Sequence, residues 1–252
     1  YDVSDSVLVA STGKYGKTRA IYVYNPDGTA VDTIKTILIG TVRDTLYNSA
    51  RGIASDPTGD NIFLSSFDVV YKINATTRQG VSKVQPTAGA TLTKVAVDSL
   101  GEIFTAFVLD GIGPIKIFGS NMAFIGNVVD TSRGFSRTVA VSNNGNDVYF
   151  PGYTKNTVIR YRSNNGSLGP YTVAATDTLL KGAVCESMEW NRKTGHLWVS
   201  TGYNSLPTTA GSFYGPATWY AFNTTTKTVQ DGFVWKAYPG KNVDPRPRGI
   251  AF

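Results

Sequence analysis

The chain has a single cysteine, a single histidine and three glutamates, and each shortage narrows its chemistry. With only Cys185, no intramolecular disulfide can form, and the residue reads as a small, buried apolar side chain. With only His196, a multi-histidine metal cage is excluded. His196 also follows the turn at Gly195, on the regular side of the repeat described below, so no histidine-based triad is expected. Scarce glutamate contributes to the net charge of +6, but Lys and Arg are scattered without a dense basic run. A nucleic-acid module usually shows clustering, so no nucleic-acid partner is expected. No apolar run is long enough to cross a membrane as a helix, and no transmembrane segment is expected. No leader pattern is present, which fits a processed mature chain or a trimmed domain. Long helix-forming runs are missing as well. Abundant Thr, Asn, Ser and Gly, with 41% apolar and only 17% charged residues, point to a globular chain of strands and turns.

What is present is a repeat. Arg51-Gly-Ile-Ala-Ser-Asp-Pro-Thr-Gly-Asp-Asn-Ile-Phe-Leu-Ser-Ser66 reads as strand, tight turn, strand. Thr93–Ala106 and Arg137–Phe150 repeat its shape, Glu186–Val199 is a looser copy, and Arg248-Gly-Ile-Ala-Phe252 is the first half of another. The first strands begin near Gly52, Lys94, Thr138, Ser187 and Gly249, at intervals of 42, 44, 49 and 62 residues. Four short strands per unit at such a period indicate a β-propeller.

The chain is therefore expected to be all-β, a single five-bladed β-propeller of four-stranded antiparallel blades, lettered A to D from the axis outward. Blade one takes 1–36 plus 248–252, blade two 51–85, blade three 93–129, blade four 137–174 and blade five 186–235. Blade one supplies its own strands B to D, and the C-terminal strand closes it as strand A. That arrangement leaves no unpaired inner edge. Strand D of blade four is placed at Leu168–Ala174, and Ile37–Ala50 is read as a connector. The A–B and C–D turns form one short, regular face. The B–C loops and D–A connectors form a variable face, where function on a rigid scaffold usually sits.

The phrase Gly-Ile-Ala, a Gly turn and an apolar-aromatic strand resembles the NHL and YVTN type of propeller repeat, with Arg51–Asn74 and Thr93–Phe118 matching it best. The resemblance implies a propeller and a group that includes bacterial surface proteins, ligand-binding modules, lactonases and lyases. The lactonase-like relatives hold a metal with carboxylate and Asn ligands where strands face the channel. Here those positions are mostly Arg or Thr, so neither metal nor other cofactor is expected.

Three constellations could carry chemistry. The residue before strand A is Arg51, Thr93, Arg137, Glu186 and Arg248 in the five copies, a ring that could bind an anion or simply salt-bridge Glu186. Glu189 stands where the other copies have Ala54, Ala96, Ala140 and Ala251. Near the axis a carboxylate needs a partner, or would pair with Glu186 as acid and base. Tyr203, Phe213 and Tyr214, in the longest B–C loop, could stack on a sugar or a peptide. The expected function is a non-catalytic module, secreted or displayed at a cell surface, binding a protein or glycan on its variable-loop face or self-assembling into an extracellular layer or filament. The competing expectation is a hydrolase or lyase acting on an anionic sugar or lactone through Glu186 and Glu189.

Overall fold

The structure, a computed structural model, describes residues 6–11, 19–46, 50–107, 115–128, 136–152, 157–174, 177–180, 185–201, 218–234, 249–250 and 252. Five small antiparallel sheets form a five-bladed β-propeller. Blade one holds β1 (Val7–Ser11), β2 (Ala20–Tyr24) and β3 (Ala30–Ile34). A hairpin of β4 (Thr36–Ile39) and β5 (Val42–Thr45) follows. Blade two is β6 (Ala50–Ser55), β7 (Asn61–Ser66), β8 (Val69–Asn74) and β9 (Gly80–Val84). Blade three is β10 (Leu92–Val97), β11 (Ile103–Phe107), β12 (Lys116–Phe118) and β13 (Phe124–Asn127). Blade four is β14 (Ala140–Val141), β15 (Asp147–Gly152), β16 (Thr157–Arg162) and β17 (Thr178–Leu179). Blade five is β18 (Cys185–Asn191), β19 (His196–Thr201), β20 (Thr218–Asn223) and β21 (Thr228–Val234).

The near-continuous apolar strands are explained by burial on both faces. On β7, Ile62 and Leu64 pack toward blade one with Ile21 and Val23, while Phe63 packs toward blade three with Leu92 and Val95. Blades three and four share Phe104, Ile117, Val148 and Tyr161, and blades four and five share Tyr149, Met188, Leu197 and Tyr220. Cys185 is fully buried in the last of these layers, and burial pushes its thiol pKa up. In the A–B turns, Gly59, Gly101, Gly145 and Gly195 all sit at φ between 67° and 80°, the left-handed geometry that a tight turn assigns to glycine.

Two features depart from the sequence reading. Ile37–Ala50 is not a plain connector, because β4 and β5 add to the outer edge of blade two and make its sheet six-stranded. Two β-branched runs flanking Gly40-Thr41, with Gly40 at φ 59°, are a hairpin signal in their own right. In blade four, Leu168–Ala174 is not strand D. Pro170 has no N–H for a ladder, a short 3-10 helix occupies Gly166–Leu168, and Thr172 makes a single bridge to Arg162. The fourth strand is β17, paired with Val158 and Ile159 of β16. Blade one shows three strands among the described residues. Of the closing segment, Gly249, Ile250 and Phe252 are described and lie outside ladder pairing, while the Phe252 ring lies 5.4 Å from that of Trp198 on blade five.

Candidate functional site

The ring before strand A has a structural cause. Arg51, Thr93 and Glu186 are each the extra residue of a β-bulge, where the register slips between Ala50 and Gly52, Leu92 and Lys94, and Cys185 and Ser187. A bulge leaves its extra residue out of the ladder and re-aims the side chain. Hydroxyl groups satisfy the disturbed backbone. The Gly52 N–H donates to Ser65 Oγ at 2.9 Å, and Ser200 Oγ donates to the Ser187 carbonyl at 3.3 Å. The repeat thus keeps a bulge at this position and varies the side chain it presents.

Arg137 and Glu186 come together, with Nε 3.4 Å from Oε2 and the Glu186 side chain fully buried. Arg51 is exposed. Arg248, Tyr203, Phe213 and Tyr214 lie outside the described residues. Glu189 meets a cation that sequence reading had not singled out. Lys94 Nζ, on strand A of blade three, forms an ion pair with Glu189 Oε2 and donates to the Met188 carbonyl, both on strand A of blade five. Blade four lies between these blades in the ring, so the pair spans the axis. Thr138, on the approach to β14, completes the bracket: Met188 N–H donates to its Oγ1 at 3.1 Å. Nearer the turn face, Arg192 of blade five donates to the Val97 carbonyl of blade three at 2.7 Å. Burial lowers the Arg192 pKa, and Glu189, Asp98 and Asp56 work against that shift.

The axis is therefore crossed by ion pairs and charge-assisted hydrogen bonds, and both candidate acid/base carboxylates already hold a cation. An ion pair of this kind stabilises the ionised carboxylate. Among the described residues, no three His, Cys, Asp or Glu side chains converge as metal ligands. Among the described residues, no helix is long and apolar enough to cross a membrane.

The Lys94–Glu189 pair gives a direct test. Lys94→Ala or Glu189→Ala alone strands a partly buried charge, and each is expected to cost about 2 kcal/mol in urea denaturation. The double variant places at both sites a residue close to the repeat's small-side-chain pattern and should recover a large part of that loss. Simple addition of the two single effects would show that the groups do not work as a pair.

No protein-family model and no curated protein matches this chain. What the fold defines is a five-bladed propeller whose axis is crossed by bonds between blades three and five.

Proposed function

We propose that the chain is a non-catalytic binding or assembly module, secreted or at a cell surface, that meets a protein or glycan partner, or further copies of itself, through its variable-loop face. The observation that carries this reading is the pairing of the carboxylates at the axis. Glu186 is held by Arg137 and Glu189 by Lys94, so the pair of carboxylates a sugar- or lactone-cleaving enzyme would use is already committed to cations. The exposed Arg51 and the loop aromatics Tyr203, Phe213 and Tyr214 are the proposed contact residues. The resemblance of the repeat to the NHL and YVTN type supports the same reading, since that group includes surface modules.

Sedimentation velocity over a wide concentration range, together with a glycan array, tests it. The reading expects concentration-dependent association or binding of a defined glycan, reduced at least tenfold by Tyr203→Ala/Phe213→Ala/Tyr214→Ala with an unchanged melting curve. A chain that stays monomeric, binds no glycan and hydrolyses a lactone or uronate in a Glu186-dependent manner would overturn it.

A further inference from the structure

Asp98 ends strand A of blade three and is fully buried. Its Oδ1 accepts the N–H groups of Leu100 and Glu102, both at 2.9 Å, which shapes the A–B turn. Its Oδ2 and the Glu102 Oε2 are buried, and no donor reaches either among the described residues. The Glu102 carboxyl group lies against that of Asp98 and disfavours ionisation of Asp98 beyond the cost of burial itself. On its far side Asp98 Oδ2 abuts blade four so closely that a methyl group on Gly145 would stand 2.8 Å from it.

A carboxyl group buried like that of Asp98 resists ionisation, and a proton on it, shared with Glu102, supplies the missing hydrogen bond. The turn that holds them is a junction. Ser99 donates both its N–H, at 2.7 Å, and its Oγ–H to the Asn143 carbonyl of blade four. Asn143 in turn donates to the Arg192 carbonyl of blade five at 3.1 Å. Arg192 reaches back to the Val97 carbonyl, next to Asp98.

We propose that Asp98 and Glu102 form a proton-held latch joining blade three to blades four and five, so that the ring tightens in mildly acidic surroundings and loosens when the proton leaves. The other charged and titratable groups around the pair do not supply that proton. Tyr171 of blade four spends its hydroxyl hydrogen on the Gly145 carbonyl at 2.7 Å. Burial, with Asp98, Glu102 and Asp147 nearby, pushes that phenol's pKa up. Arg192 gives its Nη2 to backbone carbonyls, and Lys72 of blade two gives its Nζ to the Ser120 carbonyl at 2.8 Å. Burial also raises the Asp147 pKa, but that group lies on β15 beside Arg160 and Asp177, in a separate network.

The direction of the pH effect follows from linkage. Burial and the neighbouring Glu102 push the Asp98 pKa up to about 7 from 3.8. A group raised on folding stabilises fully below its unfolded value, and the contribution is lost as pH rises through its folded value. The folding equilibrium constant should therefore fall by up to about tenfold per pH unit between pH 5 and 7 on account of this pair.

Urea denaturation of the intact chain at several pH values, compared with Asp98→Asn and Glu102→Gln, provides the test. Either amide carries hydrogens where the shared proton would be, so each variant should flatten the pH dependence. With two variants the test survives if one fails to fold. The Asp98 carboxyl carbon, followed by NMR in the wild-type chain, should titrate near neutrality. A resonance that titrates in the ordinary carboxylate range, or variants that keep the full wild-type slope, would overturn the proposal.

Discussion

Asp177→Ala is expected to remove about 3–5 kcal/mol from the unfolding free energy, the range seen when one partner of a buried ion pair is deleted. That is a large fraction of the roughly 5–15 kcal/mol that holds an ordinary domain together. Asp177 is buried, and its Oδ1 accepts Nε and Nη2 from both Arg160 and Arg162, at 2.7–3.0 Å. The two arginines differ in their access to water. The Arg160 side chain is 5% exposed and that of Arg162 is 48% exposed. Without the carboxylate, Arg162 can turn into solvent, but Arg160 remains a buried cation. Arg160 also donates Nη1 to the Thr224 carbonyl of blade five at 2.9 Å, beside a contact between Tyr149 Oη and Thr224 Oγ1 at 3.1 Å. The loss should therefore spread across the interface of blades four and five. Arg162→Ala should cost no more than about 1 kcal/mol, as for a largely solvated pair. Urea denaturation of both variants checks the contrast, and equal effects would place the energy somewhere other than the buried Arg160.

Gly52→Ala should be comparably damaging for a steric reason. A methyl group there would stand 2.4 Å from Lys94 Cα and 2.8 Å from the Val95 nitrogen, both backbone atoms of the neighbouring blade. Backbone cannot move aside as a side-chain tip can, so strand A of blade two would have to part from that of blade three. Overpacking of this kind costs about 3 kcal/mol at the upper end of its usual range, and sometimes more. Gly249 holds the same place in the repeat, yet among the described residues a methyl group there meets nothing within 4 Å. Gly249→Ala should therefore leave the melting temperature within a degree or two, while Gly52→Ala lowers it by several degrees (about 2–4 °C per kcal/mol for a chain of this size). Matching shifts would show that the approach of the inner strands is looser at Gly52.

The same two glycines show what a sequence can carry. The repeat made the strands and their order visible, because each blade solves one local problem with the same pattern of apolar strand and glycine turn. Lys94 was legible too, in retrospect. The positions aligned with it are Gly52, Thr138, Ser187 and Gly249, and those aligned with Glu189 are all alanine. One cation among small residues and one anion among alanines are complementary departures, and together they name a pair before any coordinates do. The Asp177 clasp had no such signal. Asp177 lies in a connector between repeats, where no aligned copy marks it as unusual, and nothing in the repeat singles out Arg160 or Arg162 as its partners. The hairpin at Gly40-Thr41 was missed for a different reason. Its signal is local, whereas a repeat period in the forties describes only the copies and leaves the residues between them unassigned.

That hairpin also determines which pieces of the ring can separate. β3 of blade one runs into β4 across a single residue, Lys35, and β4 is already part of the sheet of blade two. Asp44 of β5 is gripped by Lys83 at 2.5 Å and by the Tyr71 hydroxyl at 3.1 Å, and Arg78 reaches Asp32 of β3 at 2.6 Å. Blade one is thus tied to the sheet of blade two by the one-residue link at Lys35 and by the Arg78–Asp32 ion pair. A part of this end of the molecule that is detached, duplicated or traded between chains without tearing a sheet must therefore carry the hairpin with blade two, so the boundary falls at Lys35 and not at the start of the sequence repeat.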